Sequence, residues 1–326
     1  MATSADVAQH AGLSRSTVSQ ILNGREHLFL EETVTRVRAA AAELGYRPSM
    51  AGRTLARGTS DIVITLIPDI TFNARLRELI DAVTRGLAEA GLTNLLRFVG
   101  SDDSLDSLED AILRLKPFGV VSLAYLSDEQ QERVLARGVR LVAQSAALQA
   151  AIDESFGRLQ AEHLAASGYT TLAAVLPVSA REESFAAPRE AGVRAWAREA
   201  GIDVIPTRHV TMERGGAFDA IRDLPAGPVG FAAYNDEVAA ALLGAAISQG
   251  IDVPRRLGII GIDNSPIARS STPSITTVDY DIEFSGVEIV EDILGRGPGR
   301  DVLDPAREVQ QRLRVIAGET TLPPRV

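Results

Sequence analysis

Near the start of the chain, apolar and polar positions alternate with the period of two short helices joined by a turn. Residues 7–11 carry an apolar stripe, and Thr3 and Asp6 have the spacing of a capping box, which begins a helix. Gly12 gives the turn its backbone freedom, and Ser14 is placed to cap the helix that follows. This order predicts a helix-turn-helix, a motif whose second helix enters the major groove of DNA.

The second predicted helix has an apolar side and a polar side. Its apolar side closes a small core, formed by Leu13, Val18, Ile21 and Leu22. Its other side carries hydroxyl, amide and guanidinium groups, which are suited to base edges and phosphates. The expected contacts are Arg15, Ser16 and Gln20 to bases, and Ser14, Thr17 and Asn23 to phosphates. The alternative is an ordinary helical hairpin whose polar face is solvated.

Two further helical patterns follow the predicted helix pair. A third helix is expected from Glu31 to Leu44, and the run Gly-Tyr-Arg-Pro after it ends the pattern. A short helical pattern then lies between Pro48 and Gly58. Three helices and a short connecting helix therefore occupy the first 60 residues.

From residue 61 onward, short apolar runs alternate with amphipathic helical patterns. The runs predict strands at residues 62–67, 94–99, 119–123, 140–143, 172–176, 229–233, 258–262, 275–278 and 313–317. The helical patterns between them include residues 76–90, 157–167, 189–200 and 236–249. Unbroken apolar strands that alternate with helices are typical of parallel sheets covered on both faces. Nine such strands indicate two doubly wound parallel-sheet subdomains rather than one.

Three ordered motif runs, residues 6–24, 31–48 and 51–58, resemble the lactose-repressor/purine-repressor family of bacterial transcriptional regulators. The resemblance implies an α/β protein with a helix-turn-helix head (1–46), a hinge helix (47–60) and a periplasmic-binding-protein-like core (61–326). It also implies chain crossovers near Gly168, Tyr280 and Val315. The core would then divide into an N-subdomain, residues 61–167 and 281–314, and a C-subdomain, residues 168–280 and 315–326.

The resemblance also indicates effector-binding positions at strand ends. Arg189 begins an Arg-x-x-Gly run, which the family places at the mouth of a helix, Asn235 lies in Ala-Ala-Tyr-Asn-Asp-Glu, and Asp263 lies in Gly-Ile-Asp-Asn. Such side chains, facing one cleft, grip vicinal hydroxyls through charge-assisted hydrogen bonds. The alternative is that Asn235 and Asp263 cap their own loops. Further candidates are Asn73, Asp153 and Tyr280.

The chain departs from the family pattern where aromatic side chains usually surround the effector. An "NPFF"-like run is replaced by Asn73-Ala-Arg75-Leu76, and Ile262 and Ile282 stand where aromatics are common. Aromatic faces pack well on sugar C–H surfaces. Their loss favours an effector that is smaller than usual, anionic, or not a sugar.

We expect a homodimer that represses by binding a pseudo-palindromic operator, with a small-molecule effector, a carbohydrate or related metabolite, controlling its affinity. Leu55 matches the family leucine that wedges into the minor groove, and Arg53 beside it is a further expected DNA contact. Gln20 stands where the family often has arginine, which shifts the expected base preference from guanine to adenine.

Composition limits the possible classes of protein. The chain has no cysteine, no apolar run of the about 18 residues that span a membrane, and no signal-peptide pattern, which together indicate a soluble cytoplasmic protein without membrane contact. The net charge is −10, but residues 1–58 hold seven arginines and five acidic residues. The modest positive charge of the chain is therefore confined to the predicted DNA-binding head.

Two other classes remain as alternatives: a cytoplasmic solute-binding protein, and an α/β enzyme with an N-terminal helical hairpin. The sequence contains no phosphate-binding loop of the Walker type and only four histidines. The glycine-rich run at residues 295–299 does not lead into a helix start, so we interpret it as a surface loop. We expect no enzyme activity, no cofactor and no metal site.

Overall fold

The computed structural model describes residues 2–46, 54, 58–69, 74–99, 105–179, 181–297 and 311–325. Three residues predicted to bind DNA or effector, Arg53, Leu55 and Asn73, lie outside the described residues. Everything stated below about the structure concerns the described ranges.

The N-terminal head is a bundle of three helices: α1 (Ser4–Ala11), α2 (Arg15–Leu22) and α3 (Glu31–Glu43). The capping box is present, since the Thr3 hydroxyl accepts a hydrogen bond from the Asp6 backbone N–H at 3.3 Å and the Asp6 carboxylate accepts one from the Thr3 N–H at 2.7 Å. The turn between α1 and α2 places Gly12 at φ 65°, the left-handed region that glycine tolerates. The three helices bury a shared apolar core, as predicted.

The first sheet has four parallel strands in the order β2-β1-β3-β4. Its strands and the helices between them run β1 (Ile62–Pro68), α4 (Ala74–Glu89), β2 (Thr93–Val99), α5 (Leu105–Leu115), β3 (Gly119–Ser122), α6 (Asp128–Leu135) and β4 (Arg140–Ala143). Strand β1 is buried along its whole length, as expected for a central parallel strand with both faces covered.

The second sheet has seven strands in the order β11-β10-β9-β8-β5-β6, and β7 also pairs with β5. Its elements are α7 (Ala146–Ala166), β5 (Thr171–Pro177), α8 (Glu183–Ala200), β6 (Asp203–Val204), β7 (Arg208–Val210), β8 (Val229–Ala233), α9 (Asp236–Ser248), β9 (Leu257–Ile262), α10 (Pro266–Ser270), β10 (Thr276–Asp279), α11 (Ile282–Leu294) and β11 (Arg314–Ile316). All nine predicted strands are present, and the two short strands β6 and β7 are additional.

Two helices each pack on a different sheet from the one that holds the strand preceding them in sequence. Helix α11 follows β10 of the second sheet but packs against α4 and the first sheet, so the chain changes sheets near Tyr280. Helix α7 follows β4 of the first sheet but buries its apolar face against the second. This packing puts the first change of sheet before Ala146, whereas the sequence suggested Gly168. We call the two sheets with their packed helices the first and second lobes.

The last strand runs against the expected parallel direction. Strand β11 pairs antiparallel with β10, with Thr277 opposite Ile316. The carboxyl end of β10 leads towards the first lobe, so a segment that returns from that lobe enters the sheet at this end. A strand that enters there must run in the opposite direction to β10.

Two helices begin earlier than the sequence indicated. Helix α7 starts at Ala146, eleven residues before the predicted start, and Ser145 caps it by accepting a hydrogen bond from the Leu148 N–H at 3.2 Å. Helix α8 starts at Glu183, six residues before the predicted start, and contains Pro188. As a result, Arg189 lies inside α8 and not at its mouth.

Candidate functional site

The outer face of α2 presents the side chains that we expect to contact DNA. Ser14, Arg15 and Ser16 are exposed, and Thr17, Gln20 and Asn23 are partly exposed. Val18 and Ile21, on the opposite side of the helix, are buried in the head core. The helix is therefore fixed by its apolar side, and its polar side is accessible to a groove of DNA.

Short hydrogen bonds hold several of these polar side chains in place. The Ser14 hydroxyl caps α2 by accepting from the Thr17 N–H at 3.0 Å, and it lies 2.8 Å from the Thr17 hydroxyl. Gln20 donates from Nε2 to the Ser16 hydroxyl at 3.2 Å, and Arg15 donates from Nε to the Ser4 hydroxyl at 3.1 Å. These contacts are weak and exposed, so base edges can replace them without a large cost.

The second predicted site is centred on a buried ion pair in the second lobe. Arg189 on α8 donates from Nε to Asp153 Oδ1 of α7 at 2.8 Å, and Gln149 donates to the other carboxylate oxygen at 2.8 Å. Asp153 is fully buried and the Arg189 side chain is 14% exposed. Arg189 also donates to the backbone carbonyl of Tyr234 at 2.7 Å. Burial opposes the charge of Arg189, but the carboxylates of Asp153 and Asp263 outweigh it and raise the pKa of Arg189.

A pair of glycines explains why α7 and α8 bring these two charges together. A Cβ at Gly192 would lie 2.1 Å from the Glu154 carbonyl oxygen, and a Cβ at Gly157 would lie 1.9 Å from the Arg189 carbonyl oxygen. The two backbones approach closely only because both positions lack a side chain. The Arg-x-x-Gly run thus has a structural meaning, since its glycine allows the helix contact that places its arginine against Asp153.

Aromatic side chains surround Arg189, although they come from positions other than those the family pattern suggested. The guanidinium carbon lies 4.5 Å from the ring centre of Tyr234 and 5.4 Å from that of Phe156. Phe156 in turn meets the ring of Tyr280 edge-on, with the centres 5.3 Å apart. Phe156 and Tyr234 are both buried, so their rings enclose the central arginine and make cation–π contacts with it.

Asp263 lies where β9 ends and its carboxyl group is buried beside Arg189. Its backbone has φ 108°, a strained value for a residue with a side chain, and burial raises its pKa well above the ordinary value. The neighbouring carboxylates of Asp236 and Glu237 raise the pKa further, and Arg189 lowers it. A buried carboxyl group with a raised pKa at a strained position makes Asp263 a candidate for ligand binding.

Asp236 and Asn235 support the loop that carries Asp263. Asp236 is fully buried and accepts hydrogen bonds from the Ser265 N–H at 2.7 Å and the Thr277 hydroxyl at 2.6 Å. A Cβ at Gly261 would lie 2.1 Å from Asp236 Oδ1, so the glycine of the Gly-Ile-Asp run makes room for this carboxylate. Asn235 caps α9, since its Oδ1 accepts from the Val238 N–H at 3.0 Å.

Arg75 of the first lobe reaches the second lobe at the edge of this cluster. Its guanidinium donates to Asp279 Oδ1 at the end of β10 at 2.7 Å and to Glu78 on its own helix at 2.7 Å. It also donates to the Tyr280 backbone carbonyl and lies 5.1 Å from the Tyr280 ring centre. Arg314 of β11 binds the second oxygen of Asp279 at 2.9 and 2.6 Å. Arg75, which stands in the run that replaces the family's aromatic pattern, therefore joins the two lobes.

The structure brings four of the six predicted effector residues into one cluster: Arg189, Asp153, Asp263 and Tyr280. Asn235 directly follows Tyr234 in sequence, but its amide oxygen caps α9. Sequence reasoning did not select Phe156, Tyr234 or Asp236 as site residues. Nothing in the sequence distinguishes Phe156 from an ordinary core residue, whereas Tyr234 and Asp236 both stood in the motif that we assigned to Asn235.

Both parts of the chain match known protein families. Residues 3–49 match the family described as "Bacterial regulatory proteins, lacI family", and residues 161–321 match "Periplasmic binding protein-like domain". The ribose operon repressor of Halalkalibacterium halodurans is 31% identical over 299 residues, covering 86% of each chain. The ribose operon repressor of Escherichia coli K12 is 29% identical over 313 residues, covering 90% of this chain and 92% of that protein.

The fold agrees with a solved structure of the same architecture. The lac repressor dimer bound to operator and the anti-inducer ONPF has a TM-score of 0.73 at 21% identity, covering 98% of this chain and 99% of that chain. A helix-turn-helix head joined to a two-lobed core of this kind defines a DNA-binding transcriptional regulator. The chain belongs to the lacI family of bacterial regulatory proteins, whose members are regulators and not enzymes. Among the described residues, no helix is both long and apolar enough to cross a membrane.

Proposed function

We propose that the chain is a repressor whose affinity for operator DNA is set by a small neutral metabolite carrying several hydroxyl groups, bound between the two lobes. The observation that supports the effector site best is the buried cluster of Arg189, Asp153 and Asp263, with aromatic rings beside it. A guanidinium and carboxyl groups that face one cleft bind vicinal hydroxyls through charge-assisted hydrogen bonds. The ribose repressors among its relatives fit an effector of this class.

The loss of the usual aromatic side chains left an anionic effector as one of the options. The balance of charge in the structure argues against it. The charged groups that act on Asp263 are Arg189 and Arg75 on one side, and the carboxylates of Asp236 and Glu237 on the other. Asp153 and Asp279 already pair with the two arginines. Neither arginine therefore has an unpaired charge to offer to an anion.

For DNA binding, we propose that α2 reads bases with Arg15, Ser16 and Gln20 and contacts phosphates with Ser14, Thr17 and Asn23. We keep Arg53 and Leu55 as proposed hinge contacts on sequence grounds. The operator is pseudo-palindromic in this proposal because two heads of a dimer would bind it. We place the regulator in the cytoplasm, since bacterial operator DNA is found there.

We propose that two copies associate through the outer edge of the first sheet. Strand β2 is the edge strand there, and it exposes Leu95, Leu96 and Phe98 to 37%, 45% and 55%. An exposed apolar edge strand is a natural site of pairing with a second chain. Sedimentation of the wild type should give a dimer and that of Leu96→Glu a monomer. A monomeric wild type at micromolar concentration would contradict this part of the proposal.

The central test combines operator and effector binding. Selection of bound fragments from genomic DNA should return a short pseudo-palindrome that the protein prefers at physiological salt. Bound sugars should then change the affinity for that fragment, and the variant Asp263→Asn should retain DNA binding while losing the response. A protein that binds all fragments equally well, or that never responds to a metabolite, would contradict the proposal.

A further inference from the structure

The four described helices of the first lobe, α4, α5, α6 and α11, all end at the face where its strands begin. A residue with a left-handed backbone follows each of them within three positions. Glycine, which this conformation favours, occupies three of these positions: Gly91, Gly138 and Gly295, at φ 74°, 71° and 73°. The fourth position follows α5 and is occupied by Lys116, at φ 45°.

Lys116 is also the only lysine among the 33 Lys and Arg residues of the chain. Its side chain is exposed, so burial in a core does not explain its presence. A residue with a side chain is uncommon in the left-handed region and strained there, whereas glycine is not. Two unusual features therefore coincide at this position, and both concern a cationic side chain on the surface.

The linker from the head enters the first lobe beside Lys116. The Ser60 backbone N–H donates to the Lys116 carbonyl oxygen at 2.6 Å, and Ser60 lies two residues before β1. Residues 58–61 therefore leave the lobe at the face that carries Lys116. Because this linker leads back to the head, this face of the first lobe is the one nearest to DNA that the head binds.

Arg140 is a second exposed cation on the same face, at the start of β4. Its guanidinium carbon lies 4.6 Å from the ring centre of Phe118, two residues after Lys116. Its Nη1 donates to the Ile293 carbonyl oxygen at 3.3 Å. The ring and the carbonyl hold this guanidinium at the surface, close to the lysine in the fold.

Neither Lys116 nor Arg140 forms an ion pair within the described part of the chain, whereas the carboxylates on the neighbouring helices are paired with other arginines. These pairs are Glu109 with Arg133 and Arg137, Asp110 with Arg114, and Glu291 with Arg296. An exposed ammonium and an exposed guanidinium without carboxylate partners are suited to bind DNA phosphates.

We propose that Lys116 and Arg140 form a second DNA-contacting surface, with which the first lobe binds backbone phosphates beside the segment read by the head. The proposal rests on the proposed binding of DNA by α2. A phosphate contact releases counterions and carries no sequence information, so it raises affinity for every duplex and steepens the salt dependence of binding. Glycine at position 116 would relieve the backbone strain but has no side chain to reach a phosphate.

The salt dependence of DNA binding by the full-length protein tests this surface. Fluorescence anisotropy gives the association constant at a series of KCl concentrations, for the selected pseudo-palindrome and for an unrelated duplex. For a dimer, Lys116→Gly and Arg140→Gln should each make the slope of log K against log salt less steep by about two, one for each lost phosphate contact. The change should be equal for the two duplexes.

Three comparisons separate a phosphate contact from a structural role. Lys116→Arg keeps the charge and should keep the wild-type slope. Lys116→Gly should raise the melting temperature while it weakens DNA binding, a pair of changes that misfolding does not produce. Arg77→Gln, at an exposed position near the start of α4 and thus at the opposite end of the lobe, is the matched control and should bind like the wild type.

The single lysine also permits a direct footprint. Acetic anhydride followed by peptide mass spectrometry reports on Lys116 alone among the side-chain amines. Bound operator should slow its acetylation several-fold, and equal rates with and without operator would overturn the contact.

Failure of this surface and failure of the proposed function give different results. If the wild type binds the operator but Lys116→Gly or Arg140→Gln keeps its salt slope, the proposed pair is overturned and the reading of bases by α2 stands. If Lys116→Gly changes only the melting temperature, the lysine serves α5 alone, as a cation at a helix C-terminus does, and the contact is overturned. If the wild type prefers no duplex but both variants flatten its salt slope, the proposed reading by α2 fails and the phosphate surface stands.

Discussion

Replacing Asp236 by asparagine should remove a pH dependence of stability from the second lobe. The carboxyl group of Asp236 is fully buried between α9 and the ends of β9 and β10, and burial raises its pKa from 3.8 to about 6. Its hydrogen bonds from Thr277 and Ser265 offset only part of that burial. Asparagine has the same shape and retains an acceptor for the Ser265 N–H and a donor towards the Thr277 hydroxyl.

The sign and size of the effect follow from the two pKa values. The unfolded chain releases this proton near pH 3.8 and the folded protein near pH 6, so the folded state holds more protons between those values. The free energy of unfolding therefore falls as the pH rises through this window. The gap between the pKa values corresponds to about 3 kcal/mol at neutral pH. Asp236 thus lowers stability at pH 7, and the protein retains it at the effector site.

Urea unfolding followed by tryptophan fluorescence measures this effect. Trp196, the single tryptophan, packs against the core of the second lobe and reports its unfolding. The free energy of unfolding of the wild type minus that of Asp236→Asn should fall by about 3 kcal/mol between about pH 4 and pH 7. Subtracting the two curves cancels the contributions of carboxyl groups that do not interact with Asp236. The comparison is repeated in an Asp263→Asn background, because Asp236 raises the pKa of Asp263. A difference that stays constant across this range would refute the reasoning.

Three further predictions follow from other contacts. Gly192→Ala should destabilise the protein by about 1–3 kcal/mol in thermal unfolding and weaken effector binding, because its Cβ would collide with the Glu154 carbonyl. Gly244→Ala, where the Cβ enters open space, should instead stabilise the protein by up to about 1 kcal/mol in the same measurement. Equal effects of the two substitutions would contradict the packing argument. Ser14→Ala should lower the stability of the head by about 1 kcal/mol and weaken operator binding in a gel-shift titration, and unchanged binding would speak against the cap. Gln20→Arg should move the base selected from random DNA from adenine towards guanine, and an unchanged selection would exclude Gln20 from base recognition.

The head and the strands could be predicted from sequence because their signals are local. The capping box of Thr3 and Asp6, the turn at Gly12 and the cap at Ser14 each depend on residues within one helical turn of one another. Central strands such as β1 were recognisable because a parallel strand that is covered on both faces is apolar along its whole length. Helix starts were less accurate, since α7 begins at Ala146 and α8 at Glu183, both before their predicted starts.

The cleft shows the limit of local signals. Sequence motifs named Arg189 and Asp263, but the partner of Arg189, the surrounding aromatics and the role of Arg75 depend on residues up to 205 positions apart. Asn235, a motif residue, serves as a helix cap in the structure. Which lobe α7 joins was likewise decided by packing of its apolar face and not by its place in the chain.

The sequence by itself determined the helix-turn-helix head, the two parallel sheets and the motif positions, because periodicity, caps and turns act over a few residues. Only the tertiary structure decided that two glycines bring α7 against α8, that Asp236 is buried beneath the Asp263 loop, and that Arg75 joins the lobes. Close contact, burial and charge pairing arise between segments distant in sequence, and a one-dimensional pattern does not record which of them meet.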